Sequence, residues 1–150
     1  MYSKEQASKV RAKFWTTFGQ YMKPVPGASG EAVNWINYKT GAKNIFFRMD
    51  ADKDHAIVSI DIKHPDTSER INVFNQLVAL KKLLEQSTGE SWVWQSSTTE
   101  QNGQEISRVS LQQPNVNVLN EATWPVIISF LKQNITGLDE FWQLVKDGFQ

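Results

Sequence analysis

Between Arg48 and Ile62 the chain reads RMDADKDHAIVSIDI. Two kinds of metal chemistry are spelled in that stretch. Asp50, Asp52 and Asp54 make the D-x-D-x-D opening of a calcium loop, and Asp61 follows eleven residues after Asp50. A calcium loop wraps its twelfth residue back onto its first, third and fifth and takes glycine at its sixth. Asp61-Ile62-Lys63 is also the D-x-K triplet of metal-dependent nucleases. That chemistry needs a second carboxylate beside the first, so that Mg²⁺ is held and a water activated. Elsewhere the chain has no Gly-rich phosphate loop, no G-x-S-x-G and no H-E-x-x-H.

The hairpin that must carry these residues tests both readings, because a one-residue slip moves every side chain to the other face. With the turn at Ala51–Asp54 and Asp50 facing His55, Ile45, Phe47 and Met49 share a face with Val58, Ile60 and Ile62. Asn44, Phe46 and Arg48 share the other face with Ile57, Ser59, Asp61 and Lys63. The first face is wholly apolar, which selects this register. Asp61 then stands opposite Asn44, about 20 Å up the strand from Asp50. The calcium reading fails on that distance, on His55 at the glycine position and on strands where helices should flank. The nuclease reading keeps Asp61 and Lys63 on one face but gives Asp61 no acid neighbour from the adjoining strand. The expectation is therefore no metal and no cofactor. Asp50, Asp52 and Asp54 read as a solvated turn, with Asp61 and Lys63 as the alternative catalytic pair.

The elements around this hairpin follow from periodicity. Ala7, Val10, Phe14, Phe18 and Tyr21 predict a helix over residues 3–22, ended by Pro24, Pro26 and Gly27. Trp35, Ile36 and Tyr38 suggest a short strand, and 44–50 and 55–64 two clear ones. Asp66 and Glu69 open a helix as a capping box. Val73, Leu77, Leu80 and Leu84 line it and Gly89 ends it. Residues 92–98 and 104–112 make a second hairpin about Asn102-Gly103. That turn sets Trp94 opposite Leu111 and puts Trp92, Trp94, Val109 and Leu111 on one face. The six tryptophans accordingly read mainly as packing. A last helical region starts after Thr123, either bent or broken at Gly137. The fold class is α+β: a largely antiparallel sheet of about five strands with packed helices, in the order α-β-β-β-α-β-β-α.

The chain has 150 residues, 40% hydrophobic and 21% charged, which suits one domain over 1–150. No apolar run approaches the ~18 residues of a membrane span. The N-terminus does not read as an export signal, so the cytoplasm is the expected location. Cysteine is absent, which excludes disulfides and thiolate chemistry. Net charge is zero, but residues 1–82 carry 13 Lys/Arg against 8 Asp/Glu and residues 83–150 carry 3 against 8. Lys9, Arg11 and Lys13 on the first helix are the candidate binding residues. They could meet phosphates, an acidic partner or the acidic half of their own domain.

A family resemblance rests on Phe14-Trp15, Trp35, the strand pair IFFRMDAD…AIVSIDIKHPD, FNQLVALKKLLE followed by GESWVW, ISRVSL, Trp124-Pro125 and LDEFW. In that order the parts resemble the bacterial domain-of-unknown-function family number four-two-six-eight, in the stand-alone form found in Bacteroidetes-type bacteria. The family is uncharacterised, so the resemblance implies no catalytic residues. Longer relatives sometimes carry nuclease-like segments ahead of this domain, which implies a link to nucleic-acid systems by association. The order of elements through residue 98 also resembles the core of PD-(D/E)xK nucleases: helix, three strands, helix, strand. Together these readings predict a non-catalytic interaction or accessory module with a protein partner. The alternative is a divergent nuclease-like domain that binds nucleic acid.

Overall fold

The computed structural model describes residues 2–150; Met1, the first residue of the expected domain, lies outside them. The first helix, α1 (Lys4–Met22), starts at a reciprocal cap in which Gln6 N–H donates to Ser3 Oγ and Ser3 N–H donates to Gln6 Oε1. It buries Ala7, Phe14, Phe18 and Met22. After it come β1 (Ile45–Ala51), β2 (His55–Ile62), α2 (Thr67–Val78), α3 (Lys81–Thr88), β3 (Val93–Thr99), β4 (Glu105–Pro114) and α4 (Trp124–Val145). The strands form one antiparallel sheet in the order β1-β2-β4-β3.

The α+β class stands, but the described residues form four strands, not five. Trp35, Ile36 and Tyr38 do not pair. Asn37 N–H donates to Asn34 Oδ1 at 3.2 Å, and that side-chain bond bends the chain there. Trp35 Nε1 donates to the Val25 carbonyl, and Tyr38 stacks on Phe47 instead of joining a ladder. The order becomes α-β-β-α-α-β-β-α, which departs from the three-strand opening of the nuclease core. The single helix expected from Asp66 to Gly89 is two, because its halves have different partners: α2 packs on the sheet and α3 on α4. Asp66 caps α2 by accepting from Glu69 N–H at 2.9 Å, and Gly89 ends α3 in the left-handed region at φ 76°.

Both hairpins keep the expected faces while shifting register. In the first, Ala51 faces Ala56 and Asp61 faces Phe46, two residues from the expected pairing. The Asp52 carboxylate accepts from the N–H groups of Asp54 and His55, which tightens the turn to residues 52–55. In the second, Glu100 N–H bonds the Gln104 carbonyl around a loop with Gly103 at φ 87°. That slips the pairing by one residue, which alone would turn Trp94 outward. A bulge between Gln95 and Thr98 slips it by one more, so Trp94 faces Val109 and returns to the core side.

One hydrophobic cluster joins Ile45, Phe47, Val58, Ile60, Ile62, Val109 and Leu111 of the sheet to Phe14, Phe74, Leu84, Ile127, Leu131 and Trp142 of the helices. α4 is one continuous helix. Gly137 sits where α4 crosses the end of α3, and a Cβ there would lie 2.8 Å from the Ser87 carbonyl oxygen and 3.0 Å from Thr88 Cα. The helix needs glycine for that approach, not for a bend. Tryptophans serve packing here: Trp35, Trp92, Trp124 and Trp142 are buried, and Trp142 Nε1 donates to the Thr40 carbonyl.

Candidate functional site

The strand residues of that cluster come from one face of the sheet. The opposite face carries Phe46, Arg48, Ile57, Ser59, Asp61, Arg108 and Ser110, and α2 and α4 pack on the other side. Between the 52–55 turn at one end and residues 99–102 at the other, this open face forms a concavity of about 550 Å³. Asp50, Asp52 and Asp61 of the acidic stretch line it.

Asp61 lies toward the 99–102 end of this concavity, as the seventh residue of β2. β2 pairs with β4 so that Asp61 faces Arg108. Arg108 donates Nε–H to Oδ1 at 2.8 Å and Nη2–H to Oδ2 at 3.1 Å, and Ser59 Oγ donates to Oδ1 at 2.9 Å. This two-pronged geometry suits guanidinium and carboxylate. The bond to Asp61 raises the Arg108 pKa further above the ordinary arginine range, against the opposing effect of burial. Both oxygens of Asp61 are thus engaged, and its strand neighbours are Phe46 and Arg108, not an acid. Lys63, the other member of the D-x-K pair, bonds Glu100 at 2.6 Å, and its ammonium lies 5.4 Å from the Phe46 ring centre. Among the described residues no group of three or more His, Asp or Glu is placed to hold a metal ion.

At the turn, Asp52 pairs with His55 Nδ1 at 3.1 Å. Burial pushes the Asp52 carboxyl up, but the N–H groups of Asp54 and His55 and the charges of His55 and Arg11 outweigh it, and the net shift is down. Arg11, on α1, acts on this carboxylate through its charge. The other two candidate residues of α1 do not converge with it. Lys9 pairs with Glu5 at 3.5 Å on its own helix, and Lys13 pairs with Glu121 at 3.0 Å. The second pair joins the basic and acidic halves of the chain.

Sequence reasoning missed Arg108 and Glu100, since no local signal ties them to Asp61 and Lys63. It also missed Asp139, which is buried in mid-helix. Tyr38 Oη–H donates to Asp139 Oδ1 at 2.5 Å, and Ala28 N–H donates to Oδ2 at 2.7 Å. Burial, then the bond to Asp139 and its charge, raise the Tyr38 pKa well above the ordinary tyrosine range, with Gln143 opposing. This knot pins the 24–44 loop to α4. An acid four residues after Ile135, on the core stripe, was the available signal.

Among the described residues no helix is long and apolar enough to cross a membrane. No curated protein and no solved structure matches the chain. One family model does, over residues 10–146, and with that coverage the chain belongs to the family described as Domain of unknown function (DUF4268).

Proposed function

We propose that this chain is a non-catalytic cytoplasmic module that binds another protein through the open face of its sheet. The observation that carries the reading is the uncovered concave face, where the charged members of the D-x-K triplet are each taken by an opposite charge. Asp61 is held by Arg108 and Lys63 by Glu100. A catalytic carboxylate needs a lone pair free for a metal or a proton. A face built for nucleic acid leaves cations free to replace counterions on phosphates. Here the concavity carries Arg48, Lys63 and Arg108 against Asp50, Asp52, Asp61 and Glu100. That mixed balance, beside exposed Phe46, suits a protein surface of complementary charge pattern.

The test is a photo-crosslinking residue placed at Gln112, exposed on the open face of β4, with a second at Leu144, exposed on α4. In the native cytoplasm the position-112 adduct is expected to be one discrete protein, unchanged by nuclease treatment and absent from position 144. Loss of the adduct on nuclease treatment, or equal adducts from both positions, would defeat the reading.

A further inference from the structure

The two edges of the sheet are built differently. Lys63 N–H bonds the Asn44 carbonyl, and Asp52 N–H bonds the His55 carbonyl. With the unbroken register between them, antiparallel alternation directs the backbone groups of Phe46, Arg48 and Asp50 toward β2. Those of Ile45, Phe47, Met49 and Ala51 point outward. This outward row is closed from within at Ile45, through both backbone groups, and at the N–H of Ala51. Ile45 N–H reaches the Ala42 carbonyl at 3.4 Å and its C=O accepts from Thr40 Oγ at 2.8 Å. Ala51 N–H donates to the Asp50 carboxylate at 2.8 Å. Between these closures, the N–H and C=O of Phe47 and Met49 have no hydrogen-bond partner among the described residues. The opposite edge, β3, is bulged, a device that turns an edge away from pairing.

Four free groups on two alternate residues are what one more antiparallel strand requires. A second copy of this chain cannot use all four groups without setting like charges together. The register that uses all four groups on both copies pairs Phe47 with the second copy's Met49. It sets Arg48 directly against the second copy's Arg48, and like charges so placed repel. Moving to Met49 against Met49 sets Arg48 against the second copy's Asp50, an opposite-charge pair, but leaves the Phe47 carbonyl facing an Ala51 N–H that is already taken. Arg48 is exposed on the open-face side of this edge, next to Phe46, which is 45% exposed.

We propose that the β1 edge is a strand-addition site for an extended segment of a different protein, with an acidic residue opposite Arg48. This rests on the protein-binding reading above and specifies the shape and charge of what is bound. The test uses two capped seven-residue probe peptides of alternating threonine and valine, one with a central glutamate and one with a central lysine. They are titrated to millimolar concentration against ¹⁵N-labelled protein. The glutamate peptide should slow amide exchange at Phe47 and Met49 and bind up to about fivefold more tightly than the lysine peptide, the range of a cross-strand charge pair. Arg48→Glu should reverse that order. Met49→Pro removes one outward donor, which an edge strand tolerates, and should abolish the protection while the β2 and β4 amide signals stay in place. Three results would each overturn the site: no protection of Phe47 and Met49, protection at β3 instead, or protection that rises with protein concentration alone. A Gln112 adduct that survives Met49→Pro would also overturn it while leaving the binding-module reading intact.

Discussion

Arg108 closes both oxygens of Asp61 from the neighbouring strand, at 2.8 and 3.1 Å. Asp61 is 1% exposed, whereas the Arg108 side chain keeps 25% of its exposure. Removing the arginine strands a buried carboxylate. Arg108→Met is expected to cost about 2–3 kcal/mol, below the value for a wholly dry pair because water can reach the vacated end. Asp61→Val combined with Arg108→Met should recover most of that loss, since no charge is left behind. Urea unfolding of Arg108→Met, Asp61→Val and the double variant measures it, and additive losses in the double variant would contradict the account.

The same pair argues against divalent-ion binding at the D-x-K triplet. Mg²⁺ or Ca²⁺ at millimolar concentration, or EDTA, should leave Tm unchanged, because only an ion that binds the native state raises it. A rise in Tm with Mg²⁺ that Asp61→Asn removes would revive the nuclease-like alternative.

Tyr38 and Asp139 give the loop anchor a pH dependence. The Tyr38 pKa is raised on folding from its ordinary value of 10.0. A raised pKa contributes stability that is fully present below the unfolded value and is lost as pH rises through the folded one. Stability should therefore hold to about pH 10 and fall above it. Tyr38→Phe removes a donor from a buried carboxylate, at a cost of about 1–3 kcal/mol at neutral pH, and should flatten this alkaline fall. Unfolding curves from neutral to alkaline pH would reveal it, and equal slopes for both proteins would refute the assignment.

Gly137→Ala sets two effects against each other. Alanine gains about 1 kcal/mol of helix propensity. The added Cβ meets backbone at 2.8 Å, the Ser87 carbonyl, which cannot swing aside as a side chain would. We expect the clash to win by about 1–3 kcal/mol, with Tm falling. An unchanged or higher Tm would show that α3 and α4 slide apart freely.

Face assignment was legible in the sequence because side chains alternate with a period of two along a strand. Ile45, Phe47 and Met49 against Val58, Ile60 and Ile62 could face only one way. Periodicity likewise marked α1 and α4, glycine's tolerance of the left-handed region marked the helix end at Gly89, and the family resemblance was carried by the order of hydrophobic segments. The period leaves any even shift of register undecided. The Asp52 carboxylate settled the first hairpin, and the bulge between Gln95 and Thr98 settled the second. Both are local contacts whose outcome depends on competing turns of similar energy. Trp35 and Tyr38 carried strand-like composition but went to a turn, since a buried Asp139 needed the tyrosine hydroxyl as a donor. What only the tertiary structure decided is the company of Asp61. Arg108 is 47 residues away and reaches it because β2 chose β4 as its second neighbour. Strand adjacency is set by which faces and ends can be covered together, and no spacing within the chain encodes it.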